Sequence, residues 1–356
     1  MLSSSTIAIV SAFGPTRRFE AWADVPARLA TGLADYGFRV VGFDTSDVGL
    51  RTALSREERA RTLQRALLSE GVTHAIHLET LELAPLAGDP IEHYLYCDRT
   101  GHLALRHRLD LGTYRRQAIR ALDTFERSCY GACRHVFTFG DYVAEDLLQH
   151  YGLPRERVSA VGAGPSVTEF YSGAKDYGAG RLLFVANLLV EKSSRLLIDA
   201  MRIAQRTRPD LTLTMVGGNP AKVRADGVRN LAFVPPMSAE QIHGVLRDST
   251  LLVQPMLDDP CGRLALDALA TRTPVIGLDR NGLAEITANG AFGFLIADAD
   301  ARALADAILD AVCDPQRLAQ MGTAGQRHVM ESFSWNRVTR TIAGILAAED
   351  RTSLAA

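Results

Sequence analysis

Short apolar, β-branched runs alternate with segments of helical period along nearly the whole chain, and no other feature restricts the fold so strongly. The strands read as Thr6 to Phe13, Phe38 to Phe43, His74 to Leu78, His93 to Cys97, His135 to Phe139 and Arg157 to Val161. Helical patterns fill Phe19 to Tyr36, Glu57 to Ser69, Tyr114 to Ala132 and Tyr142 to Tyr151. Strands joined by helical crossovers pair in parallel, and a parallel sheet is covered on both faces. Between Gly162 and Gly180 the pattern lapses into Gly, Pro, Ser and Tyr, which marks a boundary. A second series follows, with strands at Arg181 to Ala186, Leu211 to Val216, Leu231 to Val234, Leu251 to Val253, Val275 to Leu278 and Phe294 to Ile296.

At 356 residues the chain is longer than one hydrophobic core usually organises. The expected architecture is α/β with two Rossmann-like domains facing across a cleft: residues 1–170, residues 171–333, and a terminal helix over 334–356 returning to the first domain. The tail pattern breaks near Ser332 to Ser334. Ligands of such sheets bind beyond the carboxyl ends of the strands.

A net charge of −2 offers no basis for bulk nucleic-acid binding. The five cysteines (Cys97, Cys129, Cys133, Cys261, Cys313) contain no C-x-x-C pair, so neither a disulfide framework nor a zinc site is expected. MLSSSTIAIVSAF lacks a basic n-region and reads as the first strand, and no apolar stretch approaches the roughly 20 residues of a membrane span. A cytoplasmic protein is expected, with peripheral contact at the inner membrane face left open.

The stretch Asp258 to Glu285 reads as loop, helix, strand and loop. Asp259 and Pro260 follow an apolar strand, Gly262 opens a helix carrying Leu264, Leu266 and Leu269, and Thr273-Pro274 leads into Val275 to Leu278. Asp259 and Asp267 thereby bracket a helix N-terminus, whose N–H groups and partial positive charge suit a phosphate.

This stretch resembles the retaining GT-B glycosyltransferases of glycosyltransferase family 4, and the resemblance is strongest over Arg181 to Trp335. It rests on Asp259-Pro-Cys-Gly262 with Asp267 eight positions on, LLFVANLLVEK, VGG at Val216 to Gly218, FVPPMSAEQI, NGLAE, and FSW at Phe333 to Trp335. In the first half HVFTFGDYVAEDLLQHYGLPRERV and VGAG match more loosely. The family implies a GT-B fold, a nucleoside diphosphate sugar as donor, and neither metal nor other cofactor. It implies a donor site of Gly14, Asn187, Lys192, Gly217, Val234, Cys261, Gly262, Arg263, Leu264 and Asp267. There Lys192 stabilises the diphosphate, Asp267 takes ribose hydroxyls and Asp259 contacts the transferred sugar. Both family glutamates are aspartates here, and Asn187 stands where the family carries Arg, an amide that cannot reproduce a guanidinium. Arg263, or Arg17 and Arg18, would supply the missing charge.

On the acceptor side HYLYCDRTGH ends a strand with Asp98, and His102 follows four residues later; either suits the handling of an acceptor hydroxyl. Asp98 equally suits a turn cap and His102 an exposed position. Arg17 joins them as an acceptor-side candidate. Arg99, Arg106, Arg108, Arg115 and Arg116 place positive charge nearby, fitting an anionic acceptor, acidic lipid headgroups or simply a solvated helix face. The expected activity is sugar transfer to a hydroxyl on a glycan, lipid-linked or small-molecule acceptor. The alternatives are a binding or scaffold protein that keeps the fold without catalysis, and a GT-B nucleotide-sugar epimerase or hydrolase.

Overall fold

The computed structural model describes residues 5–11, 24–45, 55–79, 88–105, 113–167, 169–186, 191–218, 223, 225–256 and 262–353, except the side chains of 56, 113–115, 191 and 350–353. The chain forms two compact units, Met1–Ala163 with Trp335–Ala356, and Gly164–Ser334.

The first unit runs β1 (Thr6–Ser11), α1 (Val25–Ala34), β2 (Arg39–Asp44), α2 (Arg56–Ser69), β3 (His74–Leu78), β4 (Glu92–Cys97), α3 (Gly101–Leu105), α4 (Thr113–Ala132), β5 (His135–Thr138), α5 (Asp141–Gln149) and β6 (Val158–Ala160). The second runs β7 (Arg181–Val185), α6 (Glu191–Ala204), β8 (Thr212–Val216), β9 (Leu231–Val234), α7 (Ala239–Asp248), β10 (Leu251–Gln254), α8 (Arg263–Ala270), β11 (Val275–Leu278), α9 (Asn281–Ile286), β12 (Gly293–Ile296), α10 (Ala301–Val312) and α11 (Pro315–Ser332). The last helix, α12 (Trp335–Ser353), belongs to the first unit.

Each unit is built on a six-stranded parallel sheet, ordered β2-β1-β3-β4-β5-β6 and β12-β11-β10-β7-β8-β9. Read from its other edge, the second order is that of a doubly wound dinucleotide-binding sheet, and its order reverses between β7 and β10. In the first unit the reversal falls between β1 and β3. Strands β3, β5, β10 and β11 are buried at every residue, their polar residues His74, His77, His135, Thr138 and Gln254 included.

The second unit closes over one core in which Leu182, Phe184, Leu213, Met215 and Val253 of the sheet meet Leu197 and Met201 of α6 and Leu304 and Ile308 of α10. Clusters of the first unit lie under α2 (Ala60, Leu63, Leu67) and under α4 and α5 (Cys129, Cys133, Val143, Leu147). Helix α12 packs on α1 at Gly32, where a Cβ would come within 2.5 Å of the Thr339 side chain. The Tyr94 hydroxyl donates to Glu349 Oε2 of α12 at 2.6 Å.

Helix starts follow the sequence chemistry. Ser55 with Glu58 and Ser238 with Gln241 form capping boxes, and Asp314 caps α11 ahead of Pro315. The tail breaks between Ser332 and Trp335, where the pattern lapses. Helices α3 and α9, of five and six residues, are additions to the sequence reading.

Candidate functional site

In the second unit, four strand exits converge around the reversal point. Strand β7 leaves through Ala186, whose N–H donates to Val216 O at 2.8 Å. Strand β8 leaves through Gly217 and Gly218, both at φ +76°, and a Cβ on Gly217 would sit 2.5 Å from Ala186 O. Only glycine fits that approach without strain. The Gly217 N–H donates to Val234 O at 2.9 Å, so two residues expected to bind donor meet at the ends of β8 and β9.

Strand β10 ends at Gln254, whose Nε2 donates to Val185 O at 3.2 Å and ties the two strands at the reversal. Its Oε1 is buried without a hydrogen-bond partner among the described residues. Gln254 lines a small pocket with Met256, Ala265, Leu278, Arg280 and Leu283. Gly277 permits the approach of α9, since a Cβ there would meet Leu283 Cδ2 at 2.3 Å and Gln254 O at 2.9 Å.

Helix α8 begins at Gly262, in the left-handed conformation at φ 63°, and its first turn closes through Ala265 N–H to Gly262 O at 2.8 Å. The positive end of its dipole therefore lies at Gly262. Leu264 is half-buried; the other helix residues are buried, Arg263 and Asp267 included. Asp267 is 7% exposed. Its Oδ1 accepts the Ser166 N–H at 2.6 Å, its Oδ2 accepts the Ser166 hydroxyl, and His243 Nε2 lies 3.4 Å from Oδ2. Burial pushes the Asp267 carboxyl up, but the His243 hydrogen bond, the Arg263 charge and the Ser166 hydroxyl together hold it below the ordinary carboxylate range. The Arg263 guanidinium thus acts on Asp267 from within the same helix, one turn away. Lys192 stands exposed at the second residue of α6. Gly14, Arg17, Asn187, Asp259 and Cys261 lie outside the described residues.

In the first unit, Asp98 follows β4 and is 3% exposed. Its backbone carbonyl accepts the Tyr142 hydroxyl at 2.6 Å, and its Oδ1 lies 3.9 Å from Arg99 Nε. His102 is partly exposed on α3, with Nδ1 2.6 Å from Asp146 Oδ1 of α5. Its ring stacks on His150 at 3.8 Å between centroids and 6° between planes, and His150 Nε2 lies 2.7 Å from Asp123 Oδ1 of α4. The two described acceptor candidates, Asp98 and His102, thus flank the β4 exit, and of the two only His102 offers a partly open side chain.

Sequence reasoning did not anticipate Ser166, His243, Gln254, Asp146 or His150. Asp146 carried a signal, since it shares the buried face of α5 with Val143 and Leu147, and an acid on an apolar face requires a partner. Ser166 and His243 carried none, being 101 and 24 residues from Asp267. Of the basic residues near α3, Arg99 and Arg116 are exposed, Arg106 and Arg108 lie outside the described residues, and the Arg115 side chain is not described. Among the described residues no helix is long and apolar enough to cross a membrane.

Residues 169–328 match the family described as glycosyl transferases group 1, which is nearly all of the second unit. A D-inositol 3-phosphate glycosyltransferase of Streptomyces avermitilis is 28% identical over 231 residues, covering 58% of this chain and 50% of that protein. The chain spans about half the length of the first curated relatives it matches. Among solved structures it is similar to sucrose-phosphate synthase from Thermosynechococcus elongatus, with a TM-score of 0.77 at 17% identity over 98% of this chain and 100% of that one. It is also similar to WaaG, a glycosyltransferase involved in lipopolysaccharide biosynthesis, with a TM-score of 0.72 at 16% identity over 95% and 99%. The fold is GT-B, two Rossmann-like α/β domains, and residues 169–328 of the second match the glycosyl transferases group 1 model.

Proposed function

We propose that the protein is a retaining glycosyltransferase that moves a hexose or related sugar from a nucleoside diphosphate sugar to a hydroxyl acceptor, without a metal ion or other cofactor. The observation that carries this reading is the convergence of the Gly217 turn, the Gln254 exit and the Gly262 helix start at the strand-order reversal of a group 1 domain. A doubly wound sheet binds nucleotides at such a point, and the left-handed glycines let a ligand approach the backbone.

In this reading the nucleobase lies against Gly217 and Val234. The diphosphate lies at the α8 N-terminus, where Lys192 and the helix dipole stabilise the charge that develops as the anomeric bond breaks; this is where preorganised electrostatics lowers a barrier most. The family resemblance assigns Asn187, Cys261, Arg263 and Leu264 to the same donor site. Ribose hydroxyls exchange for the Ser166 hydroxyl on Asp267, and Asp259 contacts the transferred sugar. The first unit takes the acceptor, with Gly14 and Arg17 after β1 and Asp98 and His102 after β4. We place the protein in the cytoplasm, with peripheral contact at the inner membrane face; glycan, lipid-linked and small-molecule hydroxyls all fit as acceptors.

The test is nucleotide release from a panel of nucleoside diphosphate sugars with and without hydroxyl acceptors, and the anomeric configuration of the product by NMR. Release that requires an acceptor, with the donor's configuration kept, is the expected result. Equal release without acceptor would indicate hydrolysis or epimerisation, and binding without turnover would indicate a scaffold. An inverted product would overturn retention alone.

A further inference from the structure

At the end of β10 lies a buried acceptor to which the transferase reading gives no role of its own. Gln254 is 8% exposed, and its side-chain nitrogen is committed to the Val185 carbonyl at 3.2 Å. A carbonyl only accepts, so the amide is turned with its nitrogen on β7, and its oxygen is left for the small pocket that Gln254 lines. That oxygen has no hydrogen-bond partner among the described residues. A buried amide oxygen is costly to leave unmatched.

The pocket lies wholly within the second unit. Gln254, Ala265 of the first turn of α8 and Leu278 at the end of β11 are its buried residues, and Met256, Arg280 and Leu283 are half-buried. Gly277 makes room for it, because a side chain there would stand where Leu283 meets the Gln254 backbone. The recess is of a size to take one water or one hydroxyl group.

A group that completes this recess donates a hydrogen bond to Gln254 Oε1 and accepts one from the Arg280 guanidinium. A hydroxyl does both through one oxygen. A keto or carboxylate oxygen only accepts and leaves Oε1 unmatched, and an ammonium only donates and brings a like charge to Arg280. Met256, Ala265, Leu278 and Leu283 are apolar and keep bulk water from competing for the bond.

We propose that this recess reads one hydroxyl of the transferred sugar, with Gln254 as the specificity-determining acceptor and Arg280 as the donor that completes the pair. The proposal rests on the transferase reading, which sets the diphosphate at the N-terminus of α8, the helix whose first turn supplies Ala265.

The test is equilibrium binding to the full chain by calorimetry, without acceptor. The probes are uridine, guanosine and adenosine diphosphates, their glucose, galactose and mannose conjugates, and, for the conjugate that binds, its monodeoxyfluoro analogues at each ring position. Fluorine keeps a weak acceptor but cannot donate, so at one position it should cost wild type at least about 10-fold in affinity. Gln254→Met should weaken the unmodified conjugate by a similar factor, keep the affinity for the nucleoside diphosphate alone, and abolish the penalty of that one fluorine. Arg280→Met should weaken the conjugate and leave the fluorine penalty in place, because it removes the donor and not the acceptor. A wild type that tolerates fluorine at every position overturns the proposal without recourse to any variant, and means that the recess holds water only. A fluorine penalty that persists in Gln254→Met overturns it as well, and a conjugate unaffected by Arg280→Met removes Arg280 from the pair. Binding of no nucleoside diphosphate or conjugate overturns the transferase reading and this proposal with it, whereas nucleotide binding with the sugar unread by Gln254 overturns the proposal alone.

Discussion

The Ser166 backbone N–H donates to Asp267 Oδ1 at 2.6 Å, so the segment entering the second unit is clamped to the middle of α8 by the acid expected to serve the ribose. Ser166→Ala keeps the N–H bond and loses the hydroxyl bond, which should cost about 0.5–1.5 kcal/mol by chemical denaturation. Because the freed Oδ2 then keeps only the longer contact to His243 Nε2 at 3.4 Å, nucleotide affinity should hold or rise. A loss of affinity in Ser166→Ala would show that the hydroxyl, not the carboxylate, meets the ligand.

Gly217→Ala combines a positive φ with a Cβ 2.5 Å from the Ala186 carbonyl, a backbone atom that cannot step aside. The expected loss is about 1–3 kcal/mol in the stability of the second unit, with nucleotide affinity lowered at least as far as the turn is displaced. Gly218→Ala shares the φ but would meet only the Ala186 side chain, at 3.2 Å. It should cost less, and equal losses in both variants would refute the steric argument.

Three buried histidines contribute to the acid response of the first unit. His77 is pushed well down by burial and then by His93, whose Nδ1 lies 2.8 Å from His77 Nε2. Burial lowers His93 against the opposing pull of Asp89, and burial with the Arg157 charge lowers His135 from 6.5 to about 4. All three folded values lie below the unfolded one, so the unfolded chain binds more protons on acidification. The His135 contribution is whole above pH 6.5 and is lost as pH falls from there toward 4, by up to about 1.4 kcal/mol per pH unit, and His77 and His93 act in the same direction. Unfolding midpoints across that window should drop, and His135→Gln should make the slope shallower by as much as one proton. A slope unchanged by that substitution would remove His135 from the account.

Gly32→Ala should loosen α12 from α1, because the new methyl meets Thr339 at 2.5 Å. Overpacking of this kind costs about 1–3 kcal/mol. Thr339→Ala in the same chain removes the nearest atoms and should restore part of it, a coupling that a double-mutant cycle measures. Additive losses would place the strain elsewhere.

Most of the sheet was legible because parallel strands are buried on both faces and so are rich in apolar residues: His74–Leu78 and Val275–Leu278 stand at the boundaries read from the sequence. Helices α3 and α9 escaped because five or six residues span too few turns to display a period. At the site, glycines and acids were legible one by one, since the turn at Gly217 and the helix start at Gly262 need residue types that few positions tolerate. Their partners were not. The Asp267–Ser166 and His102–Asp146 pairs form between distant segments, and local composition holds no trace of which distant side chain will satisfy a buried carboxylate.

The central claim is that the second unit binds a nucleoside diphosphate where β7 and β10 part. Calorimetric titration of the full chain with a panel of nucleoside diphosphates, beside Lys192→Ala and Gly217→Ala, tests it most directly. Saturable 1:1 binding of one nucleotide is predicted, weakened by about 10-fold or more in each variant, since each substitution touches a different end of the same ligand. Tight binding that ignores both substitutions, or no binding by any nucleotide of the panel, would contradict it.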